Sequence, residues 1–368
     1  MEAKTNTRII ISGGGTGGHV FPAIAIADAI KEIEPKADIL FVGAQGKIEM
    51  EKVPKAGYAI EGLWISGFQR KLTLRNLMFP VKLLWSLLSS RKIIRRFKPQ
   101  VVVGVGGFAS GPLLEMAVRS GIPALIQEQN SYAGVTNKLL GKRVQKVCVA
   151  YDGMERFFPA DKIIKTGNPV RASFFDQKVD KKVAYAHFDL DPTKKTLFVF
   201  GGSLGAASIN RAMAANTDRI AALAGIQILW QVGKLYHDQY KDSSVAQLTN
   251  VQLLPFVDRM DLAYAVADVV VCRAGAGTIS ELCQVGQAAI LIPSPNVAED
   301  HQTKNAEALV AQQAAVLIAD KDAPEMIIKK AQEVLEAETY VDNLRENIKK
   351  LAQPAAAQTI AKQVLALI

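Results

Sequence analysis

The sequence predicts an α/β protein of two domains, each folded around a parallel sheet. Apolar stretches of strand length alternate with amphipathic helical stretches along the 368 residues, which is the pattern of parallel sheets. An apolar strand, a glycine-rich turn and a helix open the chain near residue 8 and return near residue 197. A chain of this length is also too long for one ordinary core.

The elements follow from this alternation in order. In the first half we expect a helix at residues 23–33 and strands at 8–12, 39–42, 101–105, 124–127 and 146–150. In the second half we expect a helix from about residue 208 and strands at 197–200, 228–231, 269–272 and 289–292. The join is predicted in residues 168–191, which are rich in charge and flanked by prolines. This gives domains of residues 1–170 and 171–352, with a C-terminal helix at about 353–368 packing back on the first.

Composition and charge limit the function classes. Three scattered cysteines and four histidines show no metal-ligand or disulfide spacing, so we expect no metal site and a reducing cytosol. We find neither a signal peptide nor the roughly 18–20 apolar residues of a spanning helix, and expect the protein to stay inside the cell. Between Glu61 and Glu115 every charged residue is basic: Arg70, Lys71, Arg75, Lys82, Arg91, Lys92, Arg95, Arg96 and Lys98. Such a block indicates an anionic partner or a solvated face.

Glycine loops follow several predicted strands. Residues 13–18 (Gly-Gly-Gly-Thr-Gly-Gly) precede a helix, and their N–H groups suit a phosphate. The spacing also fits a dinucleotide loop, but the second strand ends in Gly43 without the carboxylate that ribose requires. Further glycine motifs lie at residues 104–108, 201–205 and 273–281. In the last of these, Glu281 could bind ribose hydroxyls or only complement the helix dipole. Glycine-lined edges in both domains suggest two phosphate-bearing ligands facing each other.

The motifs together resemble a known family. Residues 13–22 (GGGTGGHVFP), 127–130 (QEQN), 167–171 (GNPVR), 201–206 (GGSLGA) and 272–281 (CRAGAGTISE) are similar to those of the MurG family of bacterial N-acetylglucosaminyltransferases. The resemblance runs from about residue 8 to the last helix. It implies the GT-B fold, in which two Rossmann-like domains with parallel sheets face each other across a cleft.

The resemblance also implies an activity. The second domain would bind UDP-N-acetylglucosamine, and the first would bind lipid I, undecaprenyl-pyrophosphoryl-N-acetylmuramoyl-pentapeptide. Inverting transfer to the muramoyl 4-hydroxyl would give lipid II for peptidoglycan synthesis, without a cofactor.

The resemblance assigns roles to residues in both domains. On the donor side, Ser203 with Ala276, Gly277 and Thr278 would hold the diphosphate, Glu281 the ribose, Arg171 with the Val257 backbone the uracil, and Gln302 with Asn305 the sugar. The acceptor side would be lined by Thr16, Gly17, Gly18, His19 and Asn130. Two side chains depart from the family pattern: Gly277 stands where a larger apolar residue is expected, and Leu204 where a polar one is expected.

Inverting transfer needs a base. His19 at a helix start suits this role, because a helix N-terminus keeps imidazole neutral. Glu128 is the competing candidate, and His19 could instead only shape the loop. Asp189 and Asp191 mimic an Asp-x-Asp metal motif, but Pro192 follows them and we interpret the segment as a turn.

The basic block predicts a membrane contact. A helix from Pro80 would place Val81, Leu84, Trp85 and Leu88 on one face, and Leu83, Leu87 and Ile94 on another. We expect insertion through Leu77, Phe79, Leu83 and Leu87 into anionic phospholipid, unless the helix is an ordinary core helix with basic edges. The protein would then be peripheral, on the cytoplasmic face of the inner membrane, near other cell-wall synthesis enzymes and without a nucleic-acid partner.

Two alternatives stay open. One is another GT-B enzyme with a different acceptor, such as a diacylglycerol glucosyltransferase, which would have a similar basic-apolar segment. The other is a non-hydrolysing UDP-sugar 2-epimerase of the same fold, which would need no membrane contact and no acceptor.

Overall fold

The structure, a computed structural model, describes residues 6–66, 78–170, 179–202 and 204–368. The chain divides into two compact units, Met1–Arg171 with Gln353–Ile368, and Ala172–Ala352. Each unit contains a sheet in which all the pairings between described strands are parallel. The predicted α/β class with two parallel sheets is confirmed.

The first sheet has the strand order β3-β2-β1-β4-β5-β6-β7. Its strands are β1 (Arg8–Ser12), β2 (Asp38–Ala44), β3 (Ala59–Leu63), β4 (Val101–Gly104), β5 (Ala124–Glu128), β6 (Lys146–Val149) and β7 (Ile163–Lys165). The central strands β1, β4 and β5 are buried along almost their whole length, because helices cover both faces of a parallel sheet. β1 and β4 pair in parallel, with Ser12 opposite Gly104. The two strands end side by side, so the residues that follow them meet at one sheet edge.

Among the described residues, the helices that accompany this sheet before residue 171 are α1 (Gly17–Ile33), α2 (Glu49–Lys55), α3 (Phe79–Phe97), α4 (Ser110–Arg119) and α5 (Val135–Gly141). The C-terminal helix, Ala356–Leu365, packs against α1 and places Ile360, Ala361 and Val364 in the same core as Ile24. The Lys146 ammonium donates to the Gln363 side-chain oxygen at 2.7 Å, which ties this helix to β6.

The second sheet has the order β10-β9-β8-β11-β12-β13. Its strands are β8 (Lys195–Phe200), β9 (Ile226–Gln231), β10 (Val251–Leu254), β11 (Val269–Cys272), β12 (Ala289–Leu291) and β13 (Val316–Leu317). The helices of this unit are α6 (Lys181–Phe188), α7 (Ala207–Ala215), α8 (Thr217–Ala221), α9 (His237–Tyr240), α10 (Met260–Val266), α11 (Ala276–Val285), α12 (His301–Val310), α13 (Ala323–Glu336) and α14 (Glu338–Lys350). The C-terminal helix Ala356–Leu365 is α15.

One predicted boundary is wrong in a way that matters for the site. The first helix begins at Gly17 rather than at residue 23, so Gly17, Gly18 and His19 form its first turn. Glycine is a weak helix former, and its low propensity concealed the start of the helix in the sequence. The first N–H groups of α1 consequently belong to the glycine loop.

Candidate active site

The first glycine loop, residues 13–18, packs against the segment that follows β4. The Gly14 N–H donates to the Gly106 carbonyl at 3.3 Å. A Cβ on Gly107, which has a φ of +87°, would lie 2.2 Å from the Gly14 carbonyl oxygen. Two glycine motifs that are distant in sequence thus touch backbone to backbone, and a side chain at 107 would push them apart.

His19 lies directly over this contact. Its Nδ1 is 3.3 Å from the Thr16 hydroxyl, and a Cβ on Gly106 would lie 2.9 Å from its Nε2. The imidazole is half-buried, and Thr16 is the residue that precedes α1. Thr16, Gly17, Gly18 and His19, which the resemblance assigns to the acceptor side, thus lie at the start of α1 beside the segment that follows β4.

Glu128, the competing base, lies in a different environment. It is 2% exposed, and its carboxylate accepts from the Asn130 N–H and side-chain amide at 3.1 and 3.2 Å. The other oxygen accepts from the Gly134 N–H at 3.0 Å and the Asn137 amide at 2.9 Å. A carboxylate with four donors is stabilised as an acceptor of fixed hydrogen bonds, and it holds the Asn130 loop in place.

A buried amide network supports the same edge. The Gln127 amide donates to the Asn168 side chain at 3.0 Å, and the Asn168 amide donates to the Gln129 carbonyl at 3.0 Å. The Gln129 amide in turn donates to the Val105 carbonyl at 2.8 Å. The QEQN and GNP motifs of the sequence are therefore joined to the segment after β4.

The start of α11 is the candidate site of the second unit. Gly275 precedes the helix, and Ala276, Gly277 and Thr278 are its first three residues. N–H groups in the first turn of a helix have no partner within that helix and attract anions. A Cβ on Gly277 would meet nothing within 4 Å, so the glycine leaves open space at the position where we expect a larger apolar side chain from the resemblance.

Glu281 lies one turn into α11, and a buried tyrosine binds its carboxylate. The buried Tyr264 hydroxyl donates to the Glu281 carboxylate at 2.9 Å. Burial and the neighbouring Glu281 charge both raise the pKa of Tyr264 well above its usual value, so the hydroxyl keeps its proton. The hydrogen bond fixes one oxygen of the partly buried carboxylate.

Sequence reasoning missed the polar cluster behind this helix. The Arg273 guanidinium pairs with Asp320 at 2.5 Å and donates to the Ile292 carbonyl at 2.9 Å. It also donates to the Ser208 hydroxyl, which itself donates to Asp320 at 2.6 Å. Arg273 opens the glycine motif at residues 273–281, but Asp320 lies 47 residues further on, so only the fold reveals the pair.

The predicted sugar contacts lie in two environments. Asn305 is fully buried, and its amide lies 3.5 Å from the Ala274 carbonyl, where it supports the loop from behind. Its role in binding the sugar stays a prediction. Gln302 is half-buried and accepts the Ser294 N–H at 2.8 Å. Val257 is 3% exposed.

Several predicted residues lie outside the described ranges: Arg171, Ser203, Arg70, Lys71, Arg75 and Leu77. Within those ranges, no group of three or more histidine, cysteine or acidic side chains could hold a metal ion. Asp191 accepts from the Thr193 N–H at 2.9 Å and from the Thr193 hydroxyl at 2.7 Å, as in a side-chain-capped turn.

The exposed face of α3 differs from the predicted insertion face. Val81, Leu84, Trp85 and Leu88 are all exposed, with Leu84 at 61%. Leu83, expected to insert, packs partly against the core, because Ser86, Ser90, Ile93 and Ile94 turn the other side of the helix inward. Small serines allow this side to approach the sheet closely. No helix in the described part of the chain is long and apolar enough to cross a bilayer.

Aromatic and basic groups surround this exposed face. The rings of Trp64 and Trp85 meet edge to face at 6.1 Å, and the Lys82 ammonium lies 5.6 Å from the Trp64 ring centre. Arg91, Lys92 and Arg95 are exposed on the same helix, whereas Arg96 pairs with Glu61. We call this set of exposed groups on α3 and Trp64 the apolar-basic face.

Known proteins resemble both units. The glycosyltransferase family 28 N-terminal domain matches residues 9–149, and the C-terminal domain of the same family matches residues 196–364. A protein of Cytophaga hutchinsonii named UDP-N-acetylglucosamine–N-acetylmuramyl-(pentapeptide) pyrophosphoryl-undecaprenol N-acetylglucosamine transferase is 54% identical over 100% of this chain and 99% of its own. A Bacteroides fragilis protein of the same name is 52% identical over 98% of this chain and 95% of its own.

Solved structures also resemble this chain over nearly its whole length. The crystal structure of Acinetobacter baumannii MurG has a TM-score of 0.78 and 27% identity, covering 98% of this chain and 99% of that chain. A UDP-GlcNAc 2-epimerase from Neisseria meningitidis has a TM-score of 0.67 at 14% identity, covering 98% and 100%, and thus shares the fold alone. The resemblance found in the sequence is confirmed: the chain belongs to glycosyltransferase family 28 and has the GT-B fold.

Proposed function

We propose that this protein transfers N-acetylglucosamine from UDP-N-acetylglucosamine to the muramoyl 4-hydroxyl of lipid I, forming lipid II for peptidoglycan. The main support is the identity of more than half of its residues, over nearly the whole chain, with proteins named for this transfer. The epimerase alternative is supported only by a shared fold at 14% identity. Another GT-B transferase with a lipid acceptor would share the apolar-basic face but not this similarity.

On the acceptor side, His19 takes the proton of the attacking hydroxyl. Its half-buried imidazole contacts Thr16 and lies in the first turn of α1, where the helix dipole disfavours the charged form. Glu128 is engaged by four donors and instead positions Asn130. The N–H groups of Gly17 and Gly18 line the same surface and bind the acceptor.

On the donor side, the start of α11 holds the diphosphate. The first-turn N–H groups of Ala276, Gly277 and Thr278, together with the Ser203 segment, stabilise the charge that develops on the departing UDP. Glu281, oriented by Tyr264, binds the ribose hydroxyls. Arg171 and the Val257 backbone bind uracil, and Gln302 and Asn305 bind the sugar.

The apolar-basic face brings the first unit to its lipid-linked acceptor. Exposed leucines and tryptophans beside exposed arginines are typical of proteins that lie in a membrane interface. We place the protein on the cytoplasmic face of the inner membrane, bound to anionic phospholipid and near other enzymes of cell-wall synthesis. The contact is made by Val81, Leu84, Trp85 and Leu88 rather than by the residues first expected.

The decisive experiment measures UDP release from UDP-N-acetylglucosamine with and without a soluble lipid I analogue. We expect release only with the analogue, together with a β-1,4-linked disaccharide product. Conversion of the nucleotide sugar without any acceptor would identify an epimerase. Release that depends on diacylglycerol instead of the lipid I analogue would identify a different lipid glycosyltransferase.

A further inference from the structure

A buried carboxylate lies beneath the first glycine loop. Glu49 is the first residue of α2 and has no exposed surface. One of its oxygens accepts the Gly15 N–H at 2.9 Å, and the other accepts the Ala44 N–H at 2.9 Å. The side chain thus joins the loop after β1 to the end of β2, although Gly15 and Glu49 are 34 residues apart in sequence.

Two glycines make room for this side chain. A Cβ on Gly14 would lie 2.1 Å from the Glu49 Oε1, and a Cβ on Gly43 would lie 2.5 Å from its Cγ. Neither glycine has a positive φ, so backbone conformation does not explain their presence. The space that they leave is filled by the Glu49 side chain.

The environment supplies hydrogen-bond donors to the Glu49 carboxyl group. Burying a carboxylate is costly unless hydrogen bonds replace its water. Here each oxygen has a backbone donor, and both α1 and α2 begin close by with the positive ends of their dipoles. Glu49 therefore binds the Gly15 N–H from within the first unit, so that this donor is already engaged.

We propose that Glu49 is a positioning residue of the acceptor site, which fixes residues 13–18 so that His19 and the first N–H groups of α1 face the acceptor. This inference rests on the proposed function, because it assumes that the first unit binds the acceptor. Glu49 itself is fully buried and does not touch substrate.

Glu49→Gln tests the proposal with almost no change of shape. The new amide nitrogen cannot accept, so it faces either the Gly15 or the Ala44 N–H as a second donor. Misplacing a catalytic group by about 1 Å can cost about 100-fold, and we expect a loss of that size in kcat/KM for a lipid I analogue. UDP affinity, measured by calorimetry, should stay within about two-fold, because the second unit is unchanged.

Two further variants separate positioning from stability. Glu51→Gln alters an exposed carboxylate of the same helix, which pairs with Lys55, and should change kcat/KM by less than about two-fold. Gly43→Ala keeps the carboxylate but pushes its stem aside, and should reproduce the acceptor defect. Rates are measured well below the melting temperature of each variant. Each rate is divided by the concentration of UDP-binding sites, so that misfolded protein does not count as lost activity.

Amide hydrogen exchange provides a readout that is independent of transfer. In Glu49→Gln we expect faster exchange in residues 13–19 and unchanged exchange in β5. Wild-type acceptor kinetics with unchanged loop exchange would overturn the proposal, as would an equal loss of protection throughout the first unit. If the wild-type protein transfers nothing to lipid I analogues, the proposed function fails, while the exchange result still decides whether Glu49 fixes the loop.

Discussion

The first glycine loop and the start of α11 look alike in sequence but differ in the groups that surround their backbone N–H donors. In the first loop, the Gly14 and Gly15 N–H groups are already bound to the Gly106 carbonyl and the Glu49 carboxylate. At α11, the supporting groups Arg273 and Asn305 bind carbonyls and Asp320 behind the helix, and its first turn begins with the small residues Ala276 and Gly277. Glycine content alone therefore does not locate an anion site. The first loop, which is held by the Glu49 carboxylate, is suited to orienting His19. The start of α11 has no acidic residue in its first turn and is suited to binding the diphosphate.

The strongest test of this difference is His19→Ala. Loss of a general base typically costs about 10²–10⁴-fold, and we expect a fall of that size in turnover. UDP affinity should be nearly unchanged, because His19 belongs to the first unit. His237→Ala, which removes a histidine from α9, serves as the matched control. Equal losses in turnover and UDP affinity would assign His19 to the donor site.

Glu281→Ala tests the other side of the comparison. Loss of hydrogen bonds from a charged carboxylate to ribose should weaken UDP binding by about 1.5–3 kcal/mol. Titration calorimetry with UDP measures this directly, and acceptor KM should change little. A folded variant with wild-type UDP affinity would leave Glu281 as a helix-dipole partner only.

The apolar-basic face should bind anionic membranes through its charge, unlike the rest of the surface of the first unit. Replacing Arg91 and Arg95 by Gln should weaken binding to anionic vesicles by about 1 kcal/mol for each residue. Added salt should weaken wild-type binding too, because exposed charges are screened over about 8–10 Å at physiological ionic strength. The control variant carries Lys36→Gln and Lys362→Gln, which remove two exposed charges elsewhere in the same unit. Equal sedimentation of both double variants would show that the apolar-basic face is only a solvated surface.

Tyr264→Phe removes the hydroxyl that orients Glu281. We expect UDP binding to weaken by about 0.5–1.5 kcal/mol, the usual contribution of one hydrogen bond. The effect should vanish in a Glu281→Ala background, because the hydroxyl acts through that carboxylate. Full additivity of the two substitutions would show that Tyr264 acts on its own.

Chelation should have the smallest effect. We expect transfer to continue in EDTA, because N–H groups at the start of α11 supply the positive charge that a metal supplies elsewhere. Loss of transfer on chelation, with recovery on adding Mg²⁺ or Mn²⁺, would contradict this and reopen the role of Asp189 and Asp191.

The sequence predicts those features of the fold that depend on local pattern. Apolar runs such as residues 101–104 and 269–272 become buried strands, since a central parallel strand is apolar on both faces. The period of α3 groups Val81, Leu84, Trp85 and Leu88 correctly, but both sides of that helix carry leucines. Only the packing of Ser86 and Ser90 decides which side is exposed.

The missed residues depend on contacts between distant segments. Glu49 lies among Lys47, Glu51 and Lys52, which is the composition of a surface helix, and its burial follows from the arrangement of β1 and β2. Asp320 pairs with Arg273 only because β11 and the start of α13 meet across the second unit. Charged residues buried by such contacts carry no periodic signal in the sequence.

The three tryptophans divide between the units in a way that gives each unit its own optical signal. Trp64 and Trp85 stand partly exposed on the apolar-basic face, whereas Trp230 is fully buried and its indole N–H lies 3.3 Å from the Asn210 side chain. Insertion into lipid would shift the emission of the exposed pair to shorter wavelength and shield it from aqueous quenchers. Trp230 would stay unaffected until the second unit unfolds, so the intrinsic fluorescence of one unlabelled chain distinguishes adsorption to a bilayer from denaturation.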